Sequence, residues 1–201
     1  MKRVGLVMLV TLGACSAPEP IPDFRYYRLA SVEQAAPLPA PLLDRPLVIE
    51  PLRADGVHGE RPILYATDPD SLKISQYHYQ LWNDPPPTMI QRRLIDHFNA
   101  IGAASLVTDR LGSRVSAYRL RGVVYRFERV MSEGAPAEAV VAVRLRIDQD
   151  GEDLPYLTLD RMVRVPVTGQ RVEDAAVALS EGVDRIAAEL VAALKARRSE
   201  G

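Results

Sequence analysis

The most reactive side chain in the sequence is Cys15, the only cysteine of 201 residues. A thiol is the one soft nucleophile among the side chains, and a lone one forms no intramolecular disulfide and builds no cysteine-based zinc site. Its setting defines its chemistry. Lys2 and Arg3 open the chain, Val4 to Leu12 is apolar, and Leu12-Gly13-Ala14-Cys15 closes the segment. A basic start, a short apolar run and small residues at its end read as an export signal. The run is too short for a membrane-spanning helix, which needs about 20 apolar residues. Leu-small-small-Cys is the pattern of a bacterial lipoprotein signal. In that pattern the Cys15 sulfur takes a diacylglyceryl group and the new amino terminus an acyl chain. Two or more chains give stable anchoring. No other cofactor is expected.

Other candidates for chemistry are sparse. His58, His78 and His97 are isolated, and none has the i,i+4 partner of a helical zinc site. No phosphate-cradling glycine loop or nucleophile elbow is present. Asp148, Asp150, Glu152 and Asp153 cluster at a turn and lack the oxygen-ligand pattern of a calcium loop. Nothing in these residues calls for an enzyme or a bound metal, and the expectation is a noncatalytic protein with an enzyme as a rival reading. Loss of residues 1–14 leaves 23 basic against 26 acidic residues, a charge of -3. A near-neutral domain argues against nucleic acid as ligand.

The elements that position these residues follow from periodicity. Ser16–Pro46 holds seven of the 16 prolines, which predicts extended linkers around a short first strand, Phe24–Leu29. About 30 such residues would span on the order of 100 Å when fully extended. Leu47–Leu52 and Ile63–Tyr65 read as strands. Lys73–Trp82 alternates, with Tyr77, Tyr79 and Leu81 on one face and Trp82 on the other. Asp84 or Thr88 is expected to cap the helix that follows, which carries Ile90, Leu94, Phe98 and Ile101 on one stripe and stops at Gly102. Ala104–Thr108 is a short strand. Ser116–Met131, Ala139–Gln149 and Leu154–Val167 form an antiparallel meander, the middle strand alternating Ala139, Val141, Val143, Leu145 and Ile147 against Arg144 and Arg146. Glu173–Arg198 is an amphipathic helix with acidic residues first and basic residues last, as the helix dipole favours. The fold class is α+β: a single domain with a mixed, mainly antiparallel sheet and two main helices packed against it. The organisation reads as a signal (1–14), a Pro-rich tether (15–23), the domain (24–198, with a Pro-rich connection at 30–46) and a tail (199–201).

Several segments in order carry a family likeness: the Cys15 box, Tyr26-Tyr27-Arg28-Leu29, Leu47-Val48-Ile49, Arg61-Pro62-Ile63-Leu64-Tyr65, Tyr77-His78-Tyr79-Gln80-Leu81-Trp82, Pro85-Pro86-Pro87, Tyr118-Arg119-Leu120 and the final helix. The sequence resembles the ABC-type transport auxiliary lipoprotein family, the PqiC-like partners of MCE-domain lipid transport systems. The resemblance implies a periplasmic domain held by its lipid that works with an MCE-domain protein and an ABC transporter in lipid transport and membrane integrity. Ser16, rather than Asp, after the cysteine favours the outer membrane over the inner. Self-association remains open. Aromatic residues are enriched at interface hot spots; Trp82 is the first candidate partner-binding group and Tyr79 the second, although Tyr77 and Tyr79 are expected rather to pack beneath the first helix. Two other binding modules, a lipoprotein regulator of a cell-wall synthase and a periplasmic lipid-binding protein, share the anchor and the sheet-helix design. A periplasmic enzyme would need a deep pocket of converging ionisable groups.

Overall fold

A computed structural model describes residues 22–31, 36–68, 72–112 and 114–199. The Cys15 box lies outside these residues. In chain order the elements are β1 (Arg25–Tyr27), β2 (Leu47–Ile49), β3 (Arg53–Ala54), a 3-10 turn (Gly56–Gly59), β4 (Pro62–Ala66), β5 (Ser75–Trp82), α1 (Pro86–Ala100), β6 (Val107–Thr108), β7 (Tyr118–Ser132), β8 (Ala135–Gln149), β9 (Leu157–Pro166) and α2 (Val172–Ser199).

Alternation in β8 sets the architecture. Ala139, Val141, Val143, Leu145 and Ile147 are all buried against the helices, while Arg144 and Arg146 are exposed on the other face. β7, β8 and β9 form the expected antiparallel meander. The other edge of β7 is covered end to end by β2, β3 and β4, each running parallel to it. Parallel pairs β1–β5 and β2–β6 complete a mixed sheet of nine strands among the described residues. The fold is thus α+β with two helices, as the periodicities predict.

Both helices lie on the face that β8 buries. On α2, Leu179, Val183, Ile186, Leu190 and Leu194 are buried, each contributing about 2 kcal/mol through removal of apolar surface from water. α2 seats closely because Gly182 faces the sheet: a Cβ there would lie 2.6 Å from Val141 Cγ2. On α1, Ile90, Leu94, Phe98 and Ile101 are buried. Its start differs from the expectation. Neither Asp84 nor Thr88 caps the helix through its side chain; Pro85 occupies the N-cap and Pro86 and Pro87 the first turn. The prolines remove two of the donors a cap would satisfy. The Thr88 and Met89 N–H groups both donate to the Pro85 carbonyl, at 3.0 and 3.2 Å. Gly102, at φ 65°, ends the helix in the left-handed conformation that suits glycine.

The Pro-rich connection lies on the domain. Leu38 N–H donates to Ile101 O at 2.9 Å, and Leu42 and Leu43 N–H both reach Ala103 O. Leu42 and Leu43 are buried. Residues 36–46 are therefore part of the folded body and add no reach. Only Ser16–Asp23, eight residues, separate Cys15 from Phe24, a span of at most about 30 Å.

Candidate docking surface

β1 is the edge strand that follows the tether, and its parallel register sets Arg25 beside Gln80 and Tyr27 beside Trp82. Tyr27 Oη donates to Gln80 Oε1 at 2.5 Å, and Asn83 N–H donates to Tyr27 O at 2.7 Å. Phe24 packs on Tyr79 with ring centroids 5.5 Å apart, and the Arg61 guanidinium lies 5.3 Å from the centre of the Tyr26 ring. Phe24 and Tyr26 remain 55% and 60% exposed.

Further along, Ala30 N–H donates to Ser180 Oγ at 2.8 Å. Arg93 of α1 donates to Ala30 O and pairs with Asp184 of α2 at 3.0 Å. Burial raises the Asp184 carboxyl above its ordinary value, and the Arg93 charge opposes that shift. The first strand is thus fastened to both helices.

The structure corrects one sequence expectation here. Trp82 is not an outward-facing residue: it is 1% exposed, in the main core, with its ring 5.3 Å from that of Phe127. Tyr77 turns inward too, 4.6 Å from the Tyr65 ring and packed against the same core. In an uninterrupted strand, residues 77 and 82 point to opposite faces. The register between β4 and β5 shifts between Pro62↔Leu81 and Leu64↔Gln76, by an odd number, and an odd shift exchanges the faces. Tyr79 stays half-buried, on Phe24 rather than beneath α1. Cys15 lies outside the described residues, so its acylation remains an expectation.

The sheet face opposite the helices carries ion pairs. Arg121 clasps Glu50 through two bonds of 2.8 and 3.0 Å. Arg144 donates to Asp160, which also accepts from Tyr125 Oη. At the β8–β9 turn, Asp150 accepts two bonds from Arg119 and one from Ala117 N–H. The Arg119 bond, foremost, holds the Asp150 carboxyl below its ordinary value. The acidic turn is therefore tied to β7 rather than merely solvated.

One buried polar cluster had no signal in the sequence. The 3-10 turn lies over β7 and places His58 Nε2 3.8 Å from Glu128 Oε2, both side chains almost fully buried, with Arg126 bonded to Glu128. Burial holds the His58 imidazole below its ordinary value; Glu128 opposes this and Arg126 adds to it. His58 Nδ1 and Glu128 Oε2 have no hydrogen-bond partner. The turn is fastened to β7 by the backbone, Asp55 N–H donating to Val124 O at 3.0 Å.

At the far end of the sheet, Pro41, Asp44, Tyr118, Tyr156 and Arg197 line an open cleft of about 520 Å³. Tyr118 Oη donates to Asp44 Oδ1 at 3.0 Å, and burial, then that bond, pushes the phenol up to about 12. Arg197 lies over the Tyr156 ring. The cleft presents charged and aromatic side chains without a nucleophile–base pair.

Comparisons with known proteins agree with this architecture. The sequence profile described as "ABC-type transport auxiliary lipoprotein component" matches residues 27–191. The crystal structure of protein XCC0632 from Xanthomonas campestris superposes with a TM-score of 0.70 at 20% identity, covering 83% of this chain and 92% of that one. A crystal structure of an uncharacterised protein gives 0.65 at 15% identity, covering 84% and 97%. The hypothetical protein CT253 from Chlamydia trachomatis gives 0.51 at 7% identity, covering 79% and 100%. At these identities the structures show a shared fold. No curated protein matches the sequence significantly. Because the profile runs from the last residue of the edge strand deep into α2, the chain belongs to the family of ABC-type transport auxiliary lipoprotein components.

Proposed function

We propose that this protein is a noncatalytic adaptor: a lipoprotein, acylated on Cys15, that docks an MCE-domain lipid transport complex at the periplasmic face of the outer membrane. The observation that carries the reading is the short tether. Eight residues between Cys15 and Phe24 keep the domain within about 30 Å of the bilayer. A body held so close serves as a fixed receptor to which the transport complex comes. Its open clefts, which present Asp44, Arg197 and Glu152 among apolar side chains, fit that role. A lipid carrier would call for an enclosed apolar cavity; the clefts at Tyr118 and at Glu152–Tyr156 are open to solvent, with charged side chains beside apolar ones.

The test is in intact cells. Radiolabelled palmitate should enter the wild-type protein and not Cys15→Ser, and the variant should leave the membrane fraction. Photocrosslinkers at the Tyr118 cleft and beside Glu152 should capture an MCE-domain protein. Capture of a cell-wall synthase instead would overturn the transport role, and an unlabelled wild-type protein would overturn the anchoring.

A further inference from the structure

We infer that the tether end of the domain makes a second, noncovalent contact with the membrane, seating Leu72, Ile74 and the Phe24–Tyr79 pair at the lipid headgroups. The inference rests on the proposed acylation of Cys15 and adds an orientation to it.

Three observations lead there. First, direction: β1 runs parallel to β5, so Phe24, which enters β1, lies towards the side on which β5 begins and packs on Tyr79. Ile74, just before β5, is five residues earlier than Tyr79, about 17 Å along the strand towards the incoming chain. Second, composition: that end gathers exposed apolar side chains. Leu72 is fully exposed, Phe24 is more than half exposed, and Val57 and Ile74 are 45% and 40% exposed. Val57 and Ile74 line one open cleft that also carries Leu64, Tyr65, Ser75, Gln76 and His78, so the two apolar side chains sit side by side among polar neighbours. Exposed apolar patches mark contact sites, and a mix of aromatic and aliphatic groups is what binds at the headgroup boundary. Third, distance: the tether allows at most about 30 Å between the acylated sulfur and Phe24. Among the described surfaces, the one around Phe24, Leu72 and Ile74 is therefore the one the bilayer reaches first. Exposed Leu154 lies at the β8–β9 turn, beside the start of β7, whereas Ser75 pairs with Tyr65 near its end. The two ends are about 40 Å apart along the sheet.

The experiment uses the acylated full protein in phospholipid vesicles carrying a lipid-borne fluorescence quencher. Acylation consumes the only thiol, so Leu72→Cys or Leu154→Cys takes a single environment-sensitive fluorophore; both positions are exposed and the fold is unaffected. The label at position 72 should be quenched by the lipid and shifted to the blue, and the label at 154 should behave as in water. An acylated, vesicle-bound protein with both labels unquenched, or with both quenched equally, overturns the inference and leaves the anchor standing. A protein whose mass shows no acyl chains overturns the anchor and this inference together.

Discussion

Replacing Trp82 with alanine separates a core residue from a docking residue. The indole is 1% exposed and packs on Phe127 at 5.3 Å. Truncating a buried aromatic of this size costs about 3–5 kcal/mol, from lost apolar burial plus the cavity that remains. For a domain of this length each kcal/mol lowers the melting temperature by about 2–4 °C, so a fall of roughly 6–20 °C is expected. Urea unfolding of wild type and Trp82→Ala, followed by circular dichroism, measures the difference directly. Partner capture, tested below the midpoint of the variant, should match wild type, because the indole presents no surface to a partner. A loss of less than about 1 kcal/mol would refute the packing argument. A fully folded variant that fails to capture the partner would restore Trp82 as a contact residue.

Four other outcomes follow from the geometry. Gly122→Ala should cost about 1–3 kcal/mol in denaturant unfolding, since a Cβ there would lie 2.8 Å from the Arg144 carbonyl and 2.5 Å from Leu145 Cδ2. Arg93→Ala leaves Asp184 unpaired and frees Ala30 O; limited trypsin digestion should then cut at Arg28 faster than in wild type. Asp44→Asn should bring the Tyr118 phenol down from about 12, read by ultraviolet titration of the phenolate. Burial lowers both His58 and His97 in the folded state. Each imidazole therefore binds a proton more readily once unfolded, and stability falls as pH drops below the ordinary histidine value of about 6.5. His58→Asn should flatten that decline, measured as unfolding free energy between about pH 6.5 and 5.5.

How much of this was legible beforehand depended on whether the signal was local. The β8 alternation, the α2 stripe and the Ile90–Ile101 spacing are short-range patterns, and the structure buries nearly every residue they nominate. Trp82 misled because its facing depends on a register shift against β4, a property of two strands that one strand does not record. β3 was missed since Arg53 and Ala54 carry no alternation; they become a strand only by lying on Val123 and Val124. The His58–Glu128 contact joins residues seventy apart, a separation that no local pattern records. The Pro-rich stretch reads in the sequence as linkers with part of their length on the domain, and Leu38, Leu42 and Leu43 show which part: they give residues 36–46 enough apolar surface to lie on the body.

The three short strands laid along β7 have a consequence for how the chain is made. Leu47, Arg53 and Leu64 find their partners about 65–70 residues downstream, at Tyr118, Val123 and Glu128. Closing loops of that size slows folding. In the first half only β1, β5 and β4 pair with one another, while β2 and β3 have no partner strand until β6 and β7 exist. The ribosome therefore releases a half-built sheet, whose completion waits for the last strands to arrive.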